Sequence, residues 1–141
     1  MTCTTPQEAE AFGKIGRVVG RERVLLLDRC LVQGPFRVHS GARTMFVNLG
    51  IAAPRDRNTL IAVLTSVYAG ALPDDDVLRE IGVTSFLTTT NCAGVSRETI
   101  ADRFGAPVAV VPLRDGAALG APGARYEVYD LPPGGEDTAS G

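Results

Sequence analysis

Asp28 and Arg29 stand side by side inside an otherwise apolar run, VLLLDRCLV at residues 24–32, and this pair restricts the fold more than any other feature of the chain. Ionised groups are kept out of a packed interior unless they are paired, hydrogen-bonded or turned toward a polar cavity. In an extended strand Leu25, Leu27, Arg29 and Leu31 line one side, and Val24, Leu26, Asp28, Cys30 and Val32 line the other. Both sides are apolar around one charge, so the strand must run past a partner or a guest.

The segment after Gly34 and Pro35 reads as a returning strand. Phe36, Val38, Ser40, Ala42, Thr44 and Phe46 form one face, and Arg37, His39, Gly41, Arg43, Met45 and Val47 form the other. A bulge at Gly41 would turn Arg43 to the opposite face, so its direction stays open. Two readings of the arginines follow. In one, Arg29 pairs with an acidic neighbour and Arg43 is solvated; in the other, both receive an anionic ligand.

A chain of 141 residues is long enough for one domain with a real core. Its formal net charge of -2 and scattered basic residues argue against a nucleic-acid or anionic-membrane surface. Cys3, Cys30 and Cys92 are odd in number and lack zinc-ligand spacing, which fits a reducing cytoplasm. No targeting segment is recognised at the N-terminus and no apolar run is long enough to span a bilayer, so an unprocessed, cytoplasmic protein is expected. The oligomeric state is left open, a homodimer included.

Taken in order, Thr5, Pro6 and Glu8 open a helix that ends near Val19, with Gly20 as its stop. Ala9, Phe12, Ile15 and Val19 give it an apolar stripe, while Gly13 and Gly16 permit close contact with something. Pro54 to Arg57 reads as a polar turn, and Asn58 as the cap of a helix reaching Tyr68. Asp74, Asp75 and Asp76 suit the start of a short helix better than a metal site, because oxygen ligands for a metal converge from separate positions. Residues 83–90, VTSFLTTT, form a strand, and Ser96 caps a helix through Phe104 that stops at Gly105. Strands follow at Pro107 to Leu113 and Ala124 to Leu131. The Pro, Gly, Glu and Ser residues of 132–141 are too polar to pack and read as a disordered tail. The result is a single α+β domain over residues 1–131, with helices packed on a largely antiparallel sheet. No GxGxxG or P-loop pattern follows a strand, so no cofactor and no metal is implied.

Three side chains are candidates for chemistry. Glu127 shares a strand face with Arg125, Tyr129 and Leu131; a carboxyl in an apolar pocket has its pKa raised and can act as a general acid. The alternative is a glutamate on an exposed edge. His39 is the only histidine, and Arg37 and Arg43 would disfavour its charged form if they share its face. Cys92 precedes a helix N-terminus, which favours a thiolate, although a buried small hydrophobe fits the same position.

The sequence DRCLVQGPFRVHSGARTMFV, with RYEVYDLPP near the end, resembles the chorismate pyruvate-lyases and the related UTRA ligand-sensing domains. The resemblance implies an antiparallel sheet around an internal pocket and an elimination that releases pyruvate from chorismate. It implies Arg29 and Arg43 as carboxylate ligands and Glu127 as the acid; His39, as a neutral base or hydrogen-bond donor, is a further substrate-binding candidate. A carbon-oxygen lyase acting on a carboxylate-bearing cyclic metabolite is therefore expected. A non-catalytic ligand-binding or accessory protein of a biosynthetic pathway is the alternative, and an enzyme using Cys92 and His39 is a third.

Overall fold

The computed structural model describes residues 6–29, 31, 33–45, 54–90, 94–112 and 125–132. All three cysteines lie outside these residues, as do the glycines from Gly116 to Gly123 and all of the expected tail except Pro132.

Helix α1 (Pro6–Val19) buries Ala11, Phe12, Ile15 and Val19, as its apolar spacing requires. Strand β1 (Val24–Leu27) follows, then α2 (Gln33–Ser40), β2 (Arg43–Thr44), α3 (Pro54–Tyr68) and α4 (Asp75–Glu80). The chain closes with β3 (Ser85–Thr89), α5 (Arg97–Phe104), β4 (Ala109–Pro112) and β5 (Arg125–Asp130). The fold is α+β, and among the described residues one five-stranded sheet has the order β2-β1-β3-β5-β4. It is mixed. β1 pairs parallel with β2 and β3, whereas β5 pairs antiparallel with β3 and β4.

The antiparallel expectation therefore applies to the β3-β5-β4 half, and the correction in the other half comes from residues 33–40. They form a helix, not a returning strand. Pro35 falls in the first turn, where a missing N–H breaks no intrahelical bond. Phe36 is buried while Arg37, Val38 and His39 are exposed, a one-sided burial that fits a helix and not alternation. Gly41, at φ 68, ends α2 with its N–H donating to Arg37 O at 2.9 Å, so it is a helix stop and not a bulge. A helix between β1 and β2 is the ordinary way to bring the second strand back parallel. Residues 54–57 are likewise helical: α3 begins at Pro54, a preferred first position, and Asn58 lies inside it.

Both faces of the sheet are covered. On one, α1 and α2 pack over Leu25, Leu27, Leu87, Val111, Tyr126 and Val128. The Phe12 ring meets Phe36 at 5.2 Å and Tyr126 at 5.5 Å, both edge-on. On the other, Leu60, Val63 and Val67 of α3, Leu78 of α4 and Ile100 of α5 pack over Leu26, Phe86 and Tyr129. Double cover explains why every residue of β3 is buried. The contact anticipated for Gly16 is with α2: a Cβ there would stand 1.9 Å from Ser40 O.

The aspartates at the start of α4 act as structural partners. Asp75 receives the Arg103 guanidinium, and Asp76 that of Arg79 at 3.0 Å. Among the described residues no helix is long and apolar enough to cross a membrane.

Candidate functional site

The four residues singled out from sequence do not converge. Arg29 lies just past the C-terminal end of β1, and Arg43 pairs with Val24 at its opposite end. Arg29 is exposed and donates to Tyr68 O at 3.0 Å, where a cation suits the C-terminus of α3. Arg43 is exposed and donates to Arg21 O at 3.3 Å. His39 is exposed on α2, over the sheet face opposite to Glu127. The shared carboxylate cradle of Arg29, Arg43 and His39 is corrected accordingly: β1 stops at Leu27, so Arg29 never enters the interior, and α2 carries His39 away. Cys92, the alternative nucleophile, is outside the described residues.

Glu127 is different. It is 2% exposed in the middle of β5 and its carboxylate is fully engaged. Arg97 donates to Oε1 at 2.6 Å, the Tyr129 hydroxyl to the same oxygen at 2.8 Å, and Arg125 Nε to Oε2 at 3.0 Å. The strand supplies Arg125, Glu127 and Tyr129 by simple alternation, since residues two apart share a face. The fourth member comes from α5. Ser96 caps that helix by accepting from Thr99 N at 3.1 Å, and Arg97 is its first residue.

Burial works to raise the Glu127 pKa. The bonds from Arg97 and Tyr129, the Arg97 charge and the Arg125 bond together outweigh it, and the net shift is downward. The raised pKa expected for a carboxyl in an apolar pocket is thus reversed, because the pocket contains guanidinium groups. Glu127 is an anion at neutral pH. Tyr129 is pushed up, first by burial and then by its bond to that anion, so it stays a donor.

Asp28 stands across β3 from this group. It is 1% exposed and accepts from Thr88 Oγ1 at 2.7 Å, from Arg29 N at 2.8 Å and from Val95 N at 3.3 Å. Thr88 pairs directly with Glu127 across the β3–β5 ladder, and Val110 pairs with Glu127 on its other side. A single row thus crosses the sheet from Asp28 through Thr88 and Glu127 to Val110. It lies at the C-terminal ends of the parallel strands β1 and β3, the side on which ligands bind in open parallel sheets. Asp28 also holds the approach to α5. A Cβ on Gly94 would fall 2.1 Å from Asp28 Oδ1, so the loop reaches Val95 only because residue 94 has no side chain.

Two guanidinium groups therefore share one enclosed carboxylate, so Arg97, Arg125 and Glu127 together carry one positive charge in excess. Their heads are available to a ligand: the Arg97 and Arg125 side chains are 54% and 45% exposed, against 3% for Glu127. The arrangement can hold a carboxylate by charge-assisted hydrogen bonds from arginines already oriented by Glu127.

Arg125 and Tyr129 were visible as face-mates of Glu127, but Arg97 was not singled out. Its signal was a cation in the first turn of a helix, where the macrodipole disfavours positive charge unless a partner offsets it. Comparison of the chain with protein-family models, with curated proteins and with solved structures returned no match.

Proposed function

We propose that this protein binds a compact carboxylate-bearing small molecule through Arg97 and Arg125, with Glu127 and Tyr129 holding the arginines in place. One observation carries the reading: an enclosed Glu127 carboxylate is shared by two half-exposed guanidinium groups. One arginine balances the Glu127 charge, and the second adds a positive charge that an incoming anion neutralises. A singly charged carboxylate matches that excess, and a phosphate dianion exceeds it. Three cysteines with neither even number nor zinc spacing support a reducing, cytoplasmic setting.

An elimination of the chorismate-lyase kind is the second reading, and Glu127 itself favours it. Burial is the first influence on its pKa and is directed upward. A ligand that draws Arg97 and Arg125 onto its own carboxylate takes away two of the three partners that hold Glu127 as an anion, which favours its uptake of a proton and a role as acid in carbon-oxygen cleavage.

NMR titration of the protein with simple carboxylates tests binding, and release of pyruvate from chorismate tests turnover. Saturable binding lost in Arg97→Ala, with no pyruvate, fits a binding protein. Pyruvate release abolished by Glu127→Gln fits the lyase. Carboxylate binding unaltered by Arg97→Ala and Arg125→Ala would contradict both.

A further inference from the structure

Beside this cluster the surface of β4 carries an apolar strip. Val108 and Val110 are 52% and 47% exposed and Pro112 is exposed, whereas the alternating residues Ala109 and Val111 turn to the α1 side and are half-buried and buried. Val110 is paired with Glu127 across the β4–β5 ladder, and Pro112 with Arg125. Side chains directly opposite in an antiparallel pair share a face, with Cβ atoms about 4.5–5.5 Å apart. The strip therefore runs alongside the carboxylate cluster. Single surface valines need no explanation, and Pro112 with the shortness of β4 already discourages unwanted pairing, so the weight falls on where these valines stand. Among the described residues β4 is a sheet edge, and it is apolar where it flanks Arg97 and Arg125.

We propose that the ligand is a hydrophobic monocarboxylate, its carboxylate on Arg97 and Arg125 and its apolar body along Val108, Val110 and Pro112. This rests on reading the cluster as a carboxylate site and adds the chemistry of the ligand's other end. One negative charge meets the positive charge in excess among Arg97, Arg125 and Glu127, and the apolar body removes the valines from water. Inorganic phosphate and polyhydroxylated acids supply only the anionic half.

The test is an NMR titration of the full chain with acetate, hexanoate and 3-phenylpropionate. Hexanoate and 3-phenylpropionate are expected to bind at least tenfold tighter than acetate, given about fourfold for each methylene fully removed from water. Val110→Thr, which keeps the shape and adds a hydroxyl, should reduce that advantage at least threefold while acetate affinity stays within twofold. Val108→Thr provides the same comparison should Val110→Thr fail to fold. Equal affinity for short and long acids, all dependent on Arg97, would overturn the hydrophobic half and leave the carboxylate site standing. A chain-length advantage untouched by either threonine variant would also overturn it. Failure of every carboxylate to bind would remove the site reading itself and this inference with it. A dimer broken by Val110→Thr would assign the strip to a second copy of the chain and overturn the proposal.

Discussion

Arg97 and Glu127 meet at 2.6 Å from opposite environments, 54% of the arginine side chain being exposed and only 3% of the glutamate. The enclosed charge is the one that cannot do without partners, because desolvating a carboxylate without compensation costs far more than an exposed pair gains. Glu127→Gln sets an amide NH2 among donors from Arg97, Arg125 and Tyr129 that all need an acceptor, and should lower unfolding stability by about 1–3 kcal/mol. Arg97→Gln, which leaves Arg125 and Tyr129 on the carboxylate, should cost less. Urea unfolding of the two variants checks the order, and a larger loss for Arg97→Gln would contradict it.

Acid should act through the same residue. Glu127 is held below its ordinary 4.5, by bonds that overcome its burial, and Asp130 below its ordinary 3.8, chiefly by the Arg23 bond at 2.9 Å. Groups with depressed folded-state pKa contribute stability that is complete above the unfolded value and lost as pH falls through the folded one. Melting temperature should hold steady from neutrality to about pH 5 and fall below it. In the double variant Glu127→Gln, Asp130→Asn the acid limb should flatten. An acid limb identical to that of the unmodified protein would contradict these assignments.

How much of this was legible in the sequence depended on whether local signals agreed. The Ser96 cap and the Gly105 stop bracket α5 correctly, and the apolar stripe of α1 marks its buried face, because capping and periodicity point the same way there. Residues 33–40 were misread because an alternation of apolar and polar residues over a short span suits a helix with one buried residue per turn equally well. From sequence Gly41 reads as a bulge within a strand, and the packing of Phe36 against Phe12 in a helix makes it a helix stop instead. Asp28 advertised its need for partners. Their identity did not show, since Thr88 and Val95 are 60 and 67 residues away in the chain.

The α1–α2 crossing makes two glycines three residues apart behave oppositely. A Cβ at Gly16 would stand 1.9 Å from Ser40 O and 2.8 Å from Ser40 C, both backbone, while at Gly13 the nearest atom is 3.7 Å away. Gly16→Ala should destabilise by about 1–3 kcal/mol despite alanine's better helix propensity. Gly13→Ala should be neutral or stabilising by up to about 1 kcal/mol. Thermal melting of both variants settles the contrast, and equal effects would remove the close approach as their cause.

Gly94 and Asp28 should be coupled for a similar steric reason. Gly94→Ala pushes a methyl group toward a carboxylate that Thr88 and Val95 hold in place, so stability should drop by about 1–3 kcal/mol. In an Asp28→Ala background the obstruction is gone and the added cost of Gly94→Ala should shrink. A double-mutant cycle measures this directly, and strictly additive losses would show that the two positions act independently.

The most direct test of the carboxylate site follows arginine side-chain Nε–H resonances by NMR while 3-phenylpropionate is added. Saturable movement of the Arg97 and Arg125 signals is expected, abolished together in Glu127→Ala, with Arg29 and Arg43 unmoved. Movement confined to Arg29 or Arg43, with Arg97 and Arg125 silent, would contradict it.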